Sequence, residues 1–155
     1  MPLFEWTADM SIGIEVIDTD HKMLVSLINL LDDAIASGAT KETTGSVLNA
    51  LYDYTDYHFR REEMMMEACA YPEIEGHMKS HISLKSRVME IRDDYDKGEN
   101  ANIEHDILEF LKNWLKEHIM GRDRLYQSAM ASHPDEIEQA NQKFLKSPAW
   151  PENQS

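Results

Sequence analysis

The stretch HFRREEMMMEACAYPEIEGHMKSHISL, residues 58–84, joins two amphipathic helical segments through a short interruption and decides the fold. On both sides of it, apolar residues recur every three or four positions, which is the spacing of one buried helix face. Within the stretch that same face carries His58, Glu62, His77 and His81. Histidine and glutamate are costly to bury without partners, so this region predicts a polar centre inside an otherwise apolar helical core.

Helical periodicity continues beyond this stretch and predicts four helices with short breaks between them. The expected helices cover about residues 19–37, 43–68, 72–95 and 103–118. Asp18 or Thr19 can cap the first helix and Gly38 can end it, while Pro72 suits the first turn of the third. Their inner faces are marked by Leu24, Leu27, Ile28, Leu31, Ile35, Val47, Leu48, Leu51, Tyr54 or Thr55, Ile74, Leu84, Val88, Ile91, Tyr95, Ile103, Ile107, Phe110, Leu111 and Trp114.

Signals for strands are missing from the sequence. No segment shows sustained alternation of apolar and polar residues, and no Asn-Gly or Asp-Gly pair marks a hairpin. Amphipathic helices with short connections favour an all-α fold, namely an antiparallel up-down-up-down four-helix bundle. An extended arm of about 18 residues would precede the first helix.

The length of 155 residues favours a single domain with a substantial core. We expect residues 1–130 to form the bundle and residues 131–155 to form a C-terminal extension of different character. Within that extension, a short helix near Asp135–Lys146 could dock on the bundle, and Pro148 and Pro151 follow it.

Composition restricts the partners of the chain. Twenty-nine acidic against fifteen basic residues give a net charge of −14, which repels nucleic acids and anionic membrane surfaces. Cys69 is the single cysteine, so no internal disulfide is expected. The start, MPLFEWTADMSIGIEVID, does not resemble a secretory signal, and no apolar run approaches the roughly 20 residues of a membrane span. We therefore expect a soluble cytoplasmic protein, or a soluble module of a larger one, without membrane insertion.

Every predicted helix places at least one polar residue on its apolar face. Residues four apart lie on the same side of a helix. His58 and Glu62 can therefore point both side chains at one centre, and so can His77 and His81. Five imidazoles and two carboxylates would thus meet inside the bundle, and a bound metal would remove the cost of burying them. The candidate metal ligands are His21, His58, Glu62, His77, His81, His118 and Asp123.

Simpler explanations exist for each of these residues alone. A single histidine such as His21 is more often hydrogen-bonded or partly exposed than bound to a metal, and isolated pairs at this spacing are common on helices. The combination across all four helices is what favours a metal. Only His105 and His133 fall elsewhere, and Glu63, turned about 100° from Glu62, is expected to be solvated.

The ligand types restrict the metal. Because the set contains no thiolate, a cysteine-type zinc site or an iron–sulfur cluster is excluded. Seven ligands exceed the needs of one tetrahedral ion and suit two metals bridged by carboxylates, and a mixed imidazole and carboxylate shell fits iron. Ferritin-like sites use mostly glutamates with Glu and His three residues apart, so that pattern does not match.

One spacing requires a distortion. His118 and Asp123 are five residues apart, which places them about 140° from each other on a regular α-helix. Both can face the same centre only if the helix widens locally, as in a π-bulge, and Gly121 lies where such a distortion would cost little. We therefore predict a widened turn between these two residues.

These residues resemble the hemerythrin family, specifically the single-domain bacterial hemerythrins. The matching segments are GIEVIDTDH, HFRREE, HMKSH and WLKEHIMGRD, in that order, and the resemblance covers about residues 4–126. It implies that His77, His81 and His118 hold one iron, and that His21 and His58 hold the other. It further implies that Glu62 and Asp123 bridge the two irons together with an oxo or hydroxo group.

The resemblance also implies a function. The iron with two histidines keeps one open position, at which the family binds O2, and an apolar pocket would surround it. By family position, or as simple core packing, the pocket walls would be Phe59, Trp114, Leu115 and Ile119.

We expect reversible O2 binding for storage, delivery to an oxygen-using enzyme or sensing through a signalling partner, and we do not expect an enzyme. The alternative is catalysis at the same centre, such as reduction of peroxide or nitric oxide. No positioned acid or base beyond the ligands is apparent in the sequence, which disfavours that alternative.

Overall fold

The computed structural model describes residues 3–98 and 103–146, and within these ranges all regular structure is helical. Following a short 3-10 turn at Ala8–Met10, the helices are α1 (Glu15–Ala36), α2 (Lys41–Ala68), α3 (Ile74–Lys97), α4 (Ile103–Glu117), a π-helical turn (His118–Asp123), α5 (Arg124–Ala131) and α6 (Pro134–Lys146). Helix α2 packs between α1 and α3, and α4 contacts both α1 and α3, which closes a ring of four helices. The predicted four-helix bundle is confirmed.

The ends of the helices follow local sequence signals. Thr40 caps α2, because its Oγ1 atom accepts a hydrogen bond of 3.1 Å from the backbone N–H of Thr43. Gly38 and Gly98 follow α1 and α3 with φ angles of +72° and +67°, a left-handed conformation that glycine adopts without steric cost.

The first helix begins earlier than predicted. It starts at Glu15, so Asp18 lies inside its first turn and is not the residue before it. The Asp18 carboxylate instead accepts hydrogen bonds from Ser11 Oγ (2.5 Å) and from the backbone N–H of Ile12 (2.9 Å). Asp18 thus fastens the N-terminal arm to α1, and the arm contains the 3-10 turn instead of being fully extended.

The predicted inner faces form an apolar core in two clusters, and the polar side chains lie between them. Along α2, Leu51 and Phe59 belong to the first cluster, while Met65 and Met66 belong to the second. Glu62 lies between these two groups and is fully buried. The side chain of Ile103, predicted to face inward, lies outside the described residues.

The expected C-terminal helix forms as α6, and Pro134 occupies its first position, where a proline needs no hydrogen bond. It packs against α2 and α5, and it buries Ala140, Asn141 and Phe144. The predicted positions of Pro148 and Pro151 lie outside the described residues.

Candidate metal centre

All seven polar side chains predicted to face inward are buried together in the bundle. Helix α1 contributes one, α2 and α3 contribute two each, and the π-helical turn contributes the last two. Each is at most 4% exposed to solvent: His21, His58, Glu62, His77, His81, His118 and Asp123.

The seven side chains form two overlapping sets of potential metal ligands. In each set, one donor atom per residue lies within 4.8 Å of every other donor atom. The larger set contains His77, His81 and His118, and the smaller contains His21 and His58. Glu62 and Asp123 belong to both sets: Glu62 His77 His81 His118 Asp123 and His21 His58 Glu62 Asp123.

Glu62 presents one carboxylate oxygen to each set. Its Oε1 atom lies 3.3 Å from Nε2 of His77 and 3.2 Å from Nε2 of His81. Its Oε2 atom lies 2.7 Å from Nε2 of His58 and 3.5 Å from Nε2 of His21. A carboxylate divided in this way is suited to bridge two ions.

Asp123 is divided in the same manner. Its Oδ1 atom lies 2.9 Å from Nε2 of His77 and 3.0 Å from Nε2 of His118, both in the three-histidine set. Its Oδ2 atom lies 2.9 Å from Nε2 of His21, in the two-histidine set. Two carboxylates therefore connect the same pair of positions.

The π-helical turn explains how Asp123 reaches the centre. The turn spans His118–Asp123, as predicted from the spacing of these two residues, and its wider winding brings residues five apart towards one side. Gly121 is not sterically required there, because a Cβ atom on it would meet no heavy atom within 4 Å.

The donor atoms at the centre contact one another as ion pairs at 2.7–3.5 Å, but they form no hydrogen bond of acceptable geometry. The buried atoms without partners include Nε2 of all five histidines and both carboxylate oxygens of Glu62 and Asp123. A buried polar atom left unsatisfied costs roughly 1–3 kcal/mol, so such a concentration is unfavourable unless something binds there. Imidazole nitrogens and carboxylate oxygens are ligands that suit iron, and the described cluster contains no thiolate. The residues present therefore fit a pair of iron ions.

Charge at the centre favours ionised carboxylates. Burial alone would lower the pKa of His58, but Glu62 and Asp20 outweigh it and raise this pKa to about 10. Burial likewise opposes the charged form of His77, whereas Asp123 and Glu62 raise its pKa to about 9. Burial would raise the pKa of Glu62, but the surrounding histidines hold it well below its usual range. We therefore expect metal binding to displace protons from the imidazoles.

Two carboxylates that the sequence did not indicate contact the histidines at Nδ1, the ring nitrogen that does not face the centre. Asp20 Oδ2 lies 2.9 Å from Nδ1 of His58, and Glu63 Oε2 lies 2.8 Å from Nδ1 of His81. Such contacts fix the ring orientation and leave Nε2 free for a metal. The sequence predicts a solvated Glu63; its side chain is 26% exposed and so remains in contact with water, but it also reaches across to His81 on α3.

Tyr126 is a further residue of the centre that sequence analysis missed. It lies three residues after Asp123, is fully buried, and its ring centroid is 5.5 Å from that of His77. Burial raises its pKa well above 10, so its hydroxyl keeps its proton. The spacing from Asp123 was the available signal, because residues near one turn apart share a helix face.

Two of the four predicted pocket residues stack on histidines of the three-histidine set. Phe59 stacks on His81 with ring centroids 3.6 Å apart, and Trp114 stacks on His118 at 4.8 Å. Leu115 and Ile119 are buried in the same apolar cluster. Trp114 and Leu115 also line a small cavity with Leu24, Ile28, Leu51, Thr55, Leu84, Val88 and Leu111.

The chain is similar to known proteins in sequence and in fold. A family model described as the Hemerythrin HHE cation binding domain matches residues 12–130. Bacteriohemerythrin of Stenotrophomonas maltophilia is 33% identical over 142 residues, covering 92% of this chain and 91% of that protein. Bacteriohemerythrin of Methylococcus capsulatus is 31% identical over 133 residues, covering 85% of this chain and 100% of that protein. The crystal structure of a wild-type hemerythrin aligns with a TM-score of 0.77 at 30% identity, covering 83% of this chain and 98% of that one. Because the family match spans most of the chain and includes all seven donor residues, this chain belongs to the hemerythrin family.

Proposed function

We propose that this protein binds O2 reversibly at a non-haem di-iron centre inside the bundle. The observation that carries the proposal is the pair of overlapping donor sets, which share Glu62 and Asp123 but differ in their number of histidines. Two bridging carboxylates suit two ions, and the unequal histidine number makes the two ions inequivalent.

The proposed ligands follow the two sets. His77, His81 and His118 would hold one iron, and His21 and His58 would hold the other, with Glu62 and Asp123 between them together with an oxo or hydroxo bridge. The two-histidine ion has one protein ligand fewer, which leaves space for a small molecule. When bound, a ferrous pair supplies the electrons that reversible O2 binding requires.

The surrounding side chains would keep water from the bound gas. Phe59 stacks on His81 and its ring centroid also lies 5.9 Å from that of His58, in the two-histidine set. Trp114 stacks on His118, and Leu115 and Ile119 are at most 2% exposed. An apolar wall disfavours the charged and hydrated species that lead to irreversible oxidation. We propose that these four residues line the O2 pocket in addition to packing the core.

We propose a binding protein and not an enzyme. Among the described residues next to the donors, Asp20 and Glu63 are engaged by histidine Nδ1 atoms, and burial keeps the Tyr126 hydroxyl protonated. None of these three is a free base of the kind that general acid–base catalysis requires.

The wider role is storage, delivery to an oxygen-using enzyme or sensing through a signalling partner. The single cysteine suits a reducing compartment such as the cytoplasm, and the net charge of −14 disfavours nucleic acid as a partner. No helix in the described part of the chain has the length and apolar character needed to cross a membrane. The family match ends at residue 130, which supports a domain of residues 1–130 followed by an extension of residues 131–155.

The test is metal analysis combined with O2 titration of the reduced protein. We expect about two irons per chain, since there are two donor sets, and an oxygenated spectrum that reverses when O2 is removed. Rapid conversion to the diferric protein without a reversible species would contradict the proposal and favour reductive chemistry.

A matched pair of histidine variants adds a control. His77→Ala should abolish the oxygenated spectrum, because His77 lies within 3.3 Å of both shared carboxylates. His105→Ala, which alters an exposed histidine on α4, should leave the spectrum and the iron content unchanged.

A further inference from the structure

We propose that Arg61 is a positioning residue through which helix α6 acts on the two-histidine side of the metal centre. The connection runs from Asn141 on α6 to Arg61 on α2, then to Asp20 on α1, and ends at His58. The O2 part of this inference rests on the proposed function, whereas the connection itself rests on contacts within the protein.

The inner half of the connection is Asp20, whose carboxylate is almost fully buried and has three partners. Its Oδ2 atom lies 2.9 Å from Nδ1 of His58 and 3.0 Å from Nε of Arg61. Its Oδ1 atom accepts a hydrogen bond of 2.8 Å from the hydroxyl of Tyr54. A carboxylate on Nδ1 orients the imidazole and makes Nε2 a better donor, so whatever holds Asp20 also affects His58 as a metal ligand.

The outer half is Arg61, a charged residue that is only 5% exposed. Its Nη1 donates a hydrogen bond of 2.6 Å to Oδ1 of Asn141, and its Nη2 donates one of 2.9 Å to the hydroxyl of Tyr57. Its guanidinium also lies 4.9 Å from the ring centroid of Phe144. Burying a guanidinium is costly unless its charge and its donors are compensated. For Arg61, α6 supplies the acceptor of Asn141 and the ring of Phe144, while Asp20 faces Nε as an ion pair without a hydrogen bond.

Arg61 and His58 compete for the same oxygen of Asp20. A firmly held guanidinium draws negative charge from Oδ2 and fixes its position, whereas a loosened one leaves the carboxylate held only by Tyr54 and His58. The strength of the contact between Asp20 and His58 therefore depends on how well α6 holds Arg61. Contacts at each step connect α6 to His58, a residue of the smaller donor set.

The three-histidine side shows a different arrangement. There, His81 is supported by Glu63, whose side chain is 26% exposed, compared with 3% for the Asp20 side chain. Because Asp20 is shielded from water and Glu63 is not, a change in α6 should act mainly on the ion held by His21 and His58.

The experiment compares Asn141→Leu and Arg61→Gln with wild type in the full-length protein loaded with iron. The first readout is the dissociation constant of azide, an anionic probe of the open position, in the diferric state. The second is the rate at which the oxygenated form oxidises. For Arg61→Gln we expect the azide dissociation constant and the oxidation rate each to change about tenfold, and for Asn141→Leu each to change at least about threefold. Both variants should retain about two irons per chain.

Two further variants act as controls. Asn141→Asp keeps an acceptor oxygen for Nη1 and should stay within about twofold of wild type. Gln139→Leu changes an exposed position on the same helix and should have no effect. Thermal unfolding reports whether each variant folds, and Asn141→Ser replaces Asn141→Leu if the leucine variant does not.

Iron-loaded Arg61→Gln and Asn141→Leu proteins with unchanged azide affinity and oxidation rate would overturn the inference. An equal effect of Asn141→Asp and Asn141→Leu would overturn it as well, because the effect would then come from packing and not from the hydrogen bond. If wild type gives no oxygenated form, the proposed function fails, but the azide measurement still tests the connection.

Discussion

Nε2 of His118 lies 3.0 Å from Oδ1 of Asp123, although five positions separate the two residues along the chain. The π-helical turn between them makes this contact possible, and it also directs Oδ2 of the same aspartate to His21. The turn is therefore part of the metal centre, since a regular helix would turn Asp123 away from His118.

Glycine should not be needed in this turn. The substitution Gly121→Ala places a methyl group where no heavy atom lies within 4 Å, and alanine is a better helix former by roughly 1 kcal/mol. We expect unchanged iron content and a free energy of unfolding that is equal or up to ~1 kcal/mol higher. Loss of iron in this variant would show that the turn depends on the conformational freedom of glycine.

Two adjacent glutamates should differ in their effect on the centre. Glu62→Gln removes the charge of a carboxylate that contacts histidines of both sets, so the iron content should fall below one per chain. Glu63→Gln changes only a residue that contacts Nδ1 of His81. About two irons per chain should therefore remain, with iron affinity lowered roughly tenfold. Elemental analysis and competition with a chelator measure both quantities, and equal losses in the two variants would contradict the bridging role of Glu62.

The donor set could be predicted from sequence because it depends on features internal to each helix. A spacing of four residues places His58 and Glu62 on one helix face, and likewise His77 and His81. These faces are otherwise apolar, so the polar residues on them are unusual. The widened turn was predictable for the same reason, since the angle between His118 and Asp123 follows from helix geometry alone.

The supporting residues depend on contacts between helices, which spacing does not reveal. Asp20 lies on α1 but supports His58 on α2, and Glu63 lies on α2 but supports His81 on α3. Which side of a helix reaches its neighbour depends on the rotation of both helices in the bundle. The start of α1 was misplaced for a related reason, because Asp18 binds the backbone of the arm and does not cap the helix.

Metal loading should weaken as the pH falls. Nearby carboxylates raise the pKa of His58 to about 10 and that of His77 to about 9, so the metal-free protein carries protons on donor nitrogens near neutral pH. Binding Co²⁺, an air-stable probe, should release protons, and its affinity should increase between pH 6 and pH 8. Calorimetry in buffers of different ionisation enthalpy counts the protons, and a pH-independent affinity would contradict this expectation.

The metal-free protein should show the opposite dependence of its stability on pH. Folding raises the pKa of His58 and His77 above the usual value of 6.5, so their contribution to stability is complete below about pH 6.5 and is lost as the pH rises through 9 to 10. Urea unfolding of the metal-free protein at pH 7 and pH 9.5 should therefore give a lower midpoint at the higher pH. A midpoint that increases over this range would show that the histidines are neutral in the folded protein.

A stabilising substitution is available at the end of α2, away from the metal centre. Ala70 has a φ of +55°, the only positive value at a non-glycine residue in the described part of the chain, and its side chain is exposed. The left-handed conformation costs alanine roughly 1–2 kcal/mol, whereas glycine adopts it freely but loses more entropy on folding. Ala70→Gly should therefore raise the free energy of unfolding by about 0.5–1 kcal/mol, which corresponds to an increase in Tm of about 1–4 °C. The control is Ala50→Gly, at an exposed position inside the same helix, which should lower stability by roughly 1 kcal/mol. Equal destabilisation of both glycine variants would contradict this prediction. It would show that residue 70 is not left-handed in solution and that the turn between α2 and α3 has a different conformation.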